Sequence, residues 1–185
     1  MLLDVVSKEA KRMNRILTEF SIFAKPPKAH IETLDLAVLA REFIAKAQSD
    51  GVPITFHDDL PDSLVVLADP HGAAVALAHI IENAREALPE GGHIRLTGSH
   101  NPPRAWLSVN DSGAGLSDQA LERAFQPFFS NKASATGLGL SIARAMLRAS
   151  GGDCRIANAG DSAAEGGPNG AIVTLELPST HPNAA

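Results

Sequence analysis

Two short glycine-containing segments combine residue types that suit contact with a nucleotide. In the first, an apolar run at 106–109 leads into Asp111, Gly113 and Gly115. Alternation of this kind is typical of a strand, and glycines after it tolerate positive φ, which lets a flat ligand approach the backbone. The carboxylate of Asp111 sits where the strand should end. Turn chemistry also accounts for this segment when it is considered alone.

The second segment, Gly137 to Gly139, precedes a run with helical periodicity. Its apolar members are Leu140, Ile142, Ala143, Met146 and Leu147. The first backbone N–H groups of a helix have no acceptor within the helix, and the helix dipole is positive at that end, so phosphate is attracted there. Two glycines in a turn are common, and the nucleotide interpretation depends on both segments occurring together.

An asparagine that precedes both segments in the chain belongs to a third element. Asp69 followed by Pro70 is a typical helix start, and the helix is predicted to run to about Leu88. Its buried face comprises Ala73, Leu77, Ile80, Ile81, Ala84 and Leu88. Asn83 falls at the edge of that face, where a polar side chain is costly unless it meets a ligand or a metal.

Composition limits the classes of protein to consider. The 185 residues are enough for one sizeable core with a helical appendage, and the hydrophobic content is 44%. A net charge of −5 gives no sequence-wide basic field for nucleic acid. The single cysteine, Cys154, excludes an internal disulfide. Without a long apolar run or a signal-peptide pattern, we expect a cytoplasmic segment with no membrane contact, which is compatible with a parent protein anchored in a membrane.

The first element is predicted to be a long amphipathic helix. Its heptad stripe comprises Leu3, Val6, Ala10, Met13, Leu17 and Phe20. Because the chain supplies no antiparallel helix before it, we expect a homodimer through residues 2–23, in a four-helix arrangement. The alternative is that the helix packs on its own domain.

The remaining pattern predicts an α+β fold. Further helices are expected at 34–47 and 137–150, with strands at 54–57, 64–67, 93–98, 104–109, 153–158 and 171–177. This order indicates a two-layer α/β sandwich with a mixed sheet and helices on one face. The expected organisation is a helical remnant at 1–25, a linker at 26–34, a folded domain at 35–178 and a disordered tail at 179–185.

Four sequence motifs occur in an order that is typical of one protein family. They are HIIENAREAL (79–88), NDSGAGLS (110–117), AFQPFFSNK (124–132) and TGLGLSIA (136–143). Residues 69–178 resemble the catalytic ATP-binding domain of sensor histidine kinases, which has the Bergerat-type fold shared with gyrase, chaperone and mismatch-repair ATPases. Residues 1–25 resemble the second helix of the dimerisation and phosphotransfer domain, and FAKPPK resembles the connector of nitrogen-regulation-type kinases.

The resemblance implies roles for matching positions. Asn83 would coordinate Mg²⁺, and Asp111 would accept the adenine N6 hydrogen while Gly113 and Gly115 let the backbone pass the base. The phosphates would be held by Thr136, Gly137, Leu138, Gly139 and Leu140. The flap would be anchored by Phe125, Pro127, Phe128 and Phe129, with Lys132 near phosphate; the phenylalanines are equally explained as core residues.

Three positions depart from the family pattern. Ala135 stands where a first glycine is usual. His79 replaces the first asparagine of its motif, and either it keeps a hydrogen-bonding role there or it is a surface histidine. Glu86 occupies a position that is often lysine, so we expect it to point away from the triphosphate or to act through Mg²⁺, with Arg85 as the nearest basic substitute.

The resemblance implies transfer of the ATP γ-phosphoryl group to a histidine, then relay to a response regulator. None of the seven histidines has the sequence context of the phosphoacceptor, so the acceptor is expected on a helix absent from this chain. Either the chain is part of a longer kinase, or it is a natural short protein that uses the pocket otherwise. The alternatives are a gyrase-type ATPase, which needs glutamate at position 79, an anti-sigma-type serine kinase, and a non-catalytic docking module for a response regulator.

Overall fold

The computed structural model describes residues 2–25, 28–47, 53–130, 135–160 and 170–179. Its helices are α1 (Leu2–Ala24), α2 (Leu36–Ala47), α3 (Pro70–Glu86), α4 (Asp118–Arg123) and α5 (Gly139–Ala149). Its strands are β1 (Glu32–Asp35), β2 (Ile54–Asp59), β3 (Val65–Ala68), β4 (Gly92–Asn101), β5 (Arg104–Asp111), β6 (Asp153–Asn158) and β7 (Ala171–Pro178).

The main sheet has five strands in the order β2-β4-β5-β7-β6. Strand β2 runs parallel to β4 and all other neighbours are antiparallel, so the sheet is mixed. Residues of β5 and β7 alternate between buried and half-buried, because one face of the sheet meets the helices. The predicted α+β sandwich is therefore confirmed.

Helix α3 lies at the centre of the helical layer and begins where the sequence predicts. The side chain of Asp69 accepts a hydrogen bond from Gly72 N, and Pro70 occupies the first helical position. The helix packs against α5 along its length and buries Leu77 and Ile80 completely. It ends at Glu86, two residues before the predicted boundary.

The start of α2 differs from the expectation of a helix from residue 34. Residues Glu32–Asp35 form a strand that pairs antiparallel with β3. Asp35 then fixes the turn into α2, because its Oδ1 accepts the backbone N–H groups of Ala37, Val38 and Leu64. This capping and strand pairing explain why the helix begins at Leu36.

Helix α1 packs on the domain through described residues near its C-terminal end. Near its C-terminal end, Ile22 and Phe23 pack against the core. The described members of the heptad stripe face solvent instead, and Met13 and Leu17 are more than 60% exposed. The helix thus contacts its own domain, while the described members of its predicted interface stripe remain uncovered.

In the described part of the chain, no helix is both long and apolar enough to cross a bilayer. Residues 180–185 of the expected tail lie outside the described residues, and Ser179 forms a bridge with Val66.

Candidate functional site

A cavity of about 420 Å³ lies between α3, the end of β5 and the start of α5. This volume is in the range that small-molecule sites occupy. Its walls include, from α3, His79, Glu82, Asn83 and Glu86; from β5 and the following loop, Asp111, Gly115 and Leu116; and from the α5 side, Ala135, Thr136, Gly137, Gly139 and Leu140. Two predicted glycine segments therefore meet at one site.

The carboxylate at the end of β5 is buried and tightly oriented. Asp111 is 3% exposed, and its Oδ1 accepts hydrogen bonds from Gly113 N at 2.8 Å and Ala171 N at 3.3 Å. Gly170 fits closely against it, since an added Cβ would lie 2.1 Å from Asp111 Oδ1. The end of β7 and the loop after β5 therefore hold this acceptor in one orientation in the cavity wall.

The loop after Asp111 is fixed by a residue that the sequence analysis missed. Asn158, at the end of β6, accepts from Leu116 N at 2.8 Å and donates to Leu116 O at 2.7 Å. Gly115 has φ of +71°, and an added Cβ would meet Asn158 Oδ1 at 2.8 Å. The pair of bonds thus sets the path of the wall formed by Gly115 and Leu116.

The opposite end of the cavity is the N-terminus of α5. No side-chain hydrogen bond caps the first turn of this helix, and Leu138 N donates a hydrogen bond to Thr136 Oγ1 at 3.3 Å. Gly137 has φ of +69°, and an added Cβ would lie 2.6 to 2.7 Å from backbone atoms of Phe128 and Phe129. The uncapped start of α5 suits an anion such as phosphate.

Polar side chains of α3 form the wall between these two ends. His79, Asn83 and Glu86 recur at helical spacing and share one face. Glu86 therefore faces the cavity. The expectation that it points away from the site is wrong, and the alternative, that it acts through Mg²⁺, stays a prediction. Arg85 lies outside the walls, where its Nη1 is 3.7 Å from Glu82.

The described walls are acidic. They contain the carboxylates of Glu19, Glu82, Glu86 and Asp111, and no lysine or arginine among the described lining residues. In the same part of the chain, no group of three or more His, Cys, Asp or Glu side chains is placed to hold a metal by itself. A cation here would depend on the amide oxygen of Asn83, on carboxylates and on oxygens of a bound ligand, which is the way Mg²⁺ is commonly held.

The predicted flap residues have three different environments. Phe125 packs against the core, with the Arg144 guanidinium 4.7 Å from its ring centroid. Phe128 is 63% exposed with φ of +64°, whereas Phe129 lines the cavity. Lys132 lies outside the described residues.

Two of the predicted binding residues lie behind the cavity walls. Leu138 is completely buried, and Gly113 donates to Asp111 from behind the wall. Glu19, from α1, is an unpredicted wall residue, and its Oε2 accepts a hydrogen bond from Thr136 Oγ1 at 2.7 Å.

Comparison with known proteins places this geometry in a family. Residues 68–181 match the model of the histidine kinase-, DNA gyrase B- and HSP90-like ATPases. The chain belongs to this ATPase family. Sensor histidine kinase ZraS of Escherichia coli O157:H7 is 32% identical over 183 residues, which cover 96% of this chain and 38% of ZraS. The chain therefore spans about two fifths of the length of this curated relative.

Two solved structures show the same ATPase fold. The catalytic domain of histidine kinase ThkA superposes with a TM-score of 0.69 at 29% identity, covering 82% of this chain and 97% of that one. Histidine kinase ThkA in complex with response regulator protein TrrA gives a TM-score of 0.77 at 26% identity, covering 97% of this chain and 51% of that one. The resemblance to sensor histidine kinases is thereby confirmed.

Proposed function

We propose that the chain is the ATP-binding catalytic portion of a two-component sensor histidine kinase. It would transfer the γ-phosphoryl group of ATP to a histidine on a helix outside this chain. One observation carries the proposal: a single cavity has the oriented carboxylate of Asp111 at one end and the uncapped N-terminus of α5 at the other. The family match and the likeness to ThkA support it.

The proposed roles follow the geometry of the cavity. Asp111 accepts the N6 hydrogen of adenine, and the loop at Gly115 lies along the base. The amides at Gly137 and Gly139 hold phosphate oxygens at the start of α5. Asn83 and the wall carboxylates fit Mg²⁺, which supplies charge neutralisation to the triphosphate when it is bound.

The flap residues Phe125, Phe128 and Lys132 enter the proposal in a supporting role. Phe125 anchors the base of the flap on the core, and Phe128 presents an exposed apolar ring beside it. Lys132 would add the positive charge that the described walls lack. Leu138, Leu140 and Gly113 shape the backbone that faces the ligand, and Arg85 acts on Glu82 rather than on phosphate.

The transfer itself needs mainly positioning. The lone pair of a neutral imidazole nitrogen forms a bond to the γ-phosphorus, the bond from phosphorus to the β,γ-bridging oxygen breaks, and ADP leaves with that electron pair. The other ring nitrogen can release its proton to an acceptor on the phosphotransfer helix. The cavity contributes alignment of the triphosphate and stabilisation of its charge.

The activity is tested by adding an isolated phosphotransfer hairpin that carries its histidine. With ATP and Mg²⁺ we expect acid-labile phosphate on the hairpin and none on the chain itself. Asp111→Asn should abolish the transfer, whereas Asp118→Asn, the same change on exposed α4, should retain it. Release of inorganic phosphate without labelled hairpin would favour the gyrase-type ATPase instead.

The exposed stripe of α1 supports a homodimer of the parent protein through residues 2–23. Met13, Leu17 and Phe20 are 63%, 61% and 49% exposed, and apolar stripes of this kind are normally covered. Light scattering should show Leu17→Glu as a monomer. Thr18→Glu adds the same charge to an exposed position beside the stripe and should stay dimeric; a monomeric wild type would contradict this part of the proposal.

The proposed kinase function also implies a protein partner and a cellular location. ThkA forms a complex with the response regulator TrrA, and we propose that the phosphorylated parent protein passes its phosphoryl group to a regulator of that kind. Because the reaction uses ATP, the segment would act in the cytoplasm. Phosphate transfer from a labelled hairpin to a candidate regulator is the measurement that tests the relay.

A further inference from the structure

Two histidines on neighbouring strands bring their ring nitrogens together outside the nucleotide cavity. His57 Nε2, on β2, lies 3.3 Å from His93 Nδ1, on β4, and the ring centroids are 5.4 Å apart. Side chains alternate along a strand, and the neighbouring Phe56 and Ile94 pack in the core. Both histidines therefore lie on the face of the sheet away from the helices, and neither lines the cavity.

The separation of the two nitrogens suits a pair of ligands to one metal ion. Two nitrogens bound to a tetrahedral Zn²⁺ ion, each at about 2.0 to 2.1 Å, lie roughly 3.3 Å from each other. A direct hydrogen bond donated by a ring N–H is usually shorter, at about 2.7 to 3.2 Å. The observed distance of 3.3 Å thus equals the metal-ligand separation and exceeds the usual range of a direct hydrogen bond.

The strands hold both rings in place without a metal ion. In the parallel pairing of β2 with β4, His93 lies opposite Thr55, two residues before His57. His93 is also tied to the far side of β4, because its backbone N–H donates to Ser112 Oγ at 2.9 Å and its carbonyl accepts from Ser112 N at 3.0 Å. Ligands on paired strands of this kind are positioned more precisely than ligands on loops.

The charges around the two rings are compatible with a bound cation. Arg95 lies opposite His57 in the strand register, and its guanidinium forms an ion pair with Asp59. Its positive charge is therefore directed at a carboxylate. Within the ranges that the structure describes, no third His, Cys, Asp or Glu joins the two histidines in a metal-binding group. Water would fill the remaining positions, as it fills the open position of other zinc sites.

We propose that His57 and His93 form a surface site for a divalent transition-metal ion of the class that prefers imidazole ligands, with Zn²⁺ as its representative. Each neutral ring donates the lone pair of the facing nitrogen and keeps its proton on the other nitrogen. Mg²⁺ prefers oxygen ligands and is not expected here. The site is separate from the nucleotide cavity, so the inference does not depend on the proposed kinase function.

The test is calorimetric titration of the full chain with Zn²⁺ in the absence of nucleotide. Loss of one imidazole removes the chelation, so His57→Gln and His93→Gln should each weaken the binding of one Zn²⁺ equivalent about a hundredfold. The matched control is His100→Gln, which removes an exposed histidine farther along β4 and should bind Zn²⁺ as wild type does. An excess of Mg²⁺ should not displace the ion from wild type.

A second measurement uses the wild-type chain alone and so does not depend on how the variants fold. In NMR spectra, Zn²⁺ should shift the ring nitrogen resonances of both His57 and His93 at the same stoichiometry, and an equal concentration of Mg²⁺ should leave them in place. The inference is overturned if wild type binds no Zn²⁺, or if both glutamine variants bind it as tightly as wild type. It is also overturned if Zn²⁺ leaves these two rings unchanged, since they would then form only a hydrogen-bonded pair.

Discussion

Substitution of Asn158 tests how the cavity wall is held in shape. The side chain makes two hydrogen bonds to the backbone of Leu116, at 2.8 and 2.7 Å. No sequence motif predicts a role for this residue. Each such bond contributes about 0.5 to 1.5 kcal/mol net, and exposure of this residue favours the lower half of that range. Loss of both bonds in Asn158→Ala should therefore destabilise the wall conformation by roughly 1 to 2 kcal/mol.

That energy translates into affinity if the ligand needs the observed wall. If the binding-competent conformation is destabilised by about 1.4 kcal/mol relative to other conformations of the loop, the affinity falls about tenfold. Calorimetry with ADP should show this loss for Asn158→Ala. Asn158→Asp should lose at least as much, because it keeps the acceptor for Leu116 N but sets a carboxylate oxygen against the Leu116 carbonyl.

The matched control is Asn101→Ala, an exposed asparagine at the far end of β4, which should leave ADP binding unchanged. Equal dissociation constants for wild type and a folded Asn158→Ala would contradict this prediction, because the loop at Gly115 would then keep its path without the side chain of Asn158.

Three further outcomes follow from the structure. Gly137→Ala places a Cβ at φ of +69° against the backbone of the preceding loop, so the melting temperature and the nucleotide affinity should both fall. The left-handed conformation alone should lower the free energy of unfolding by at least about 1 to 2 kcal/mol. The control is Gly160→Ala, whose added Cβ meets nothing within 4 Å and should change neither quantity. The hydrogen bond from Arg144 holds the pKa of Asp153 well below its usual range, so its stabilising contribution is present above about pH 3.8 and is lost as pH falls below that value. Urea unfolding should show Asp153→Asn less stable than wild type at pH 7, with the difference shrinking at pH 3; an equal difference at both would contradict the assignment. Burial raises the pKa of Cys154 to about 12, so a thiol reagent at pH 8 should modify it only after denaturation.

Local signals predicted the elements that carry the site. Asp69 and Pro70 mark the start of α3 because capping and proline geometry involve adjacent residues only. Strand β6 was predicted at its observed bounds, 153–158, because glycines precede it and its residues alternate. By contrast, α4 was not predicted, since six residues are too few to display a helical period.

Contacts between distant parts of the chain could not be read from such patterns. The bond between Glu19 and Thr136 joins residues 117 positions apart, and that between Asn158 and Leu116 joins residues 42 apart. Neither Glu19 nor Asn158 carries a motif. Helical periodicity placed Glu19 off the heptad stripe, which is compatible with its position, but the pattern does not say what the other face of α1 meets.

The phenylalanines show the same limit inside a motif. Phe125, Phe128 and Phe129 belong to one short segment, yet one is packed on the core, one is exposed and one lines the cavity. The positive φ of Phe128 turns the chain between them. Residue type alone does not reveal such a backbone turn, because a bulky residue with positive φ is uncommon.

The proposed function depends on recognition of adenine by Asp111 in this cavity, and a comparison of two nucleotides tests that recognition. Inosine diphosphate differs from ADP by carrying an acceptor oxygen in place of the N6 amino group. Calorimetry should show wild type binding ADP about ten- to a hundredfold more tightly, because a hydrogen bond to a charged acceptor is lost. Asp111→Asn, which keeps an oxygen for the backbone of Gly113 but offers an NH₂ group instead of a second acceptor, should remove most of that preference. Equal binding of the two nucleotides by wild type, or no binding of ADP at all, would contradict the account.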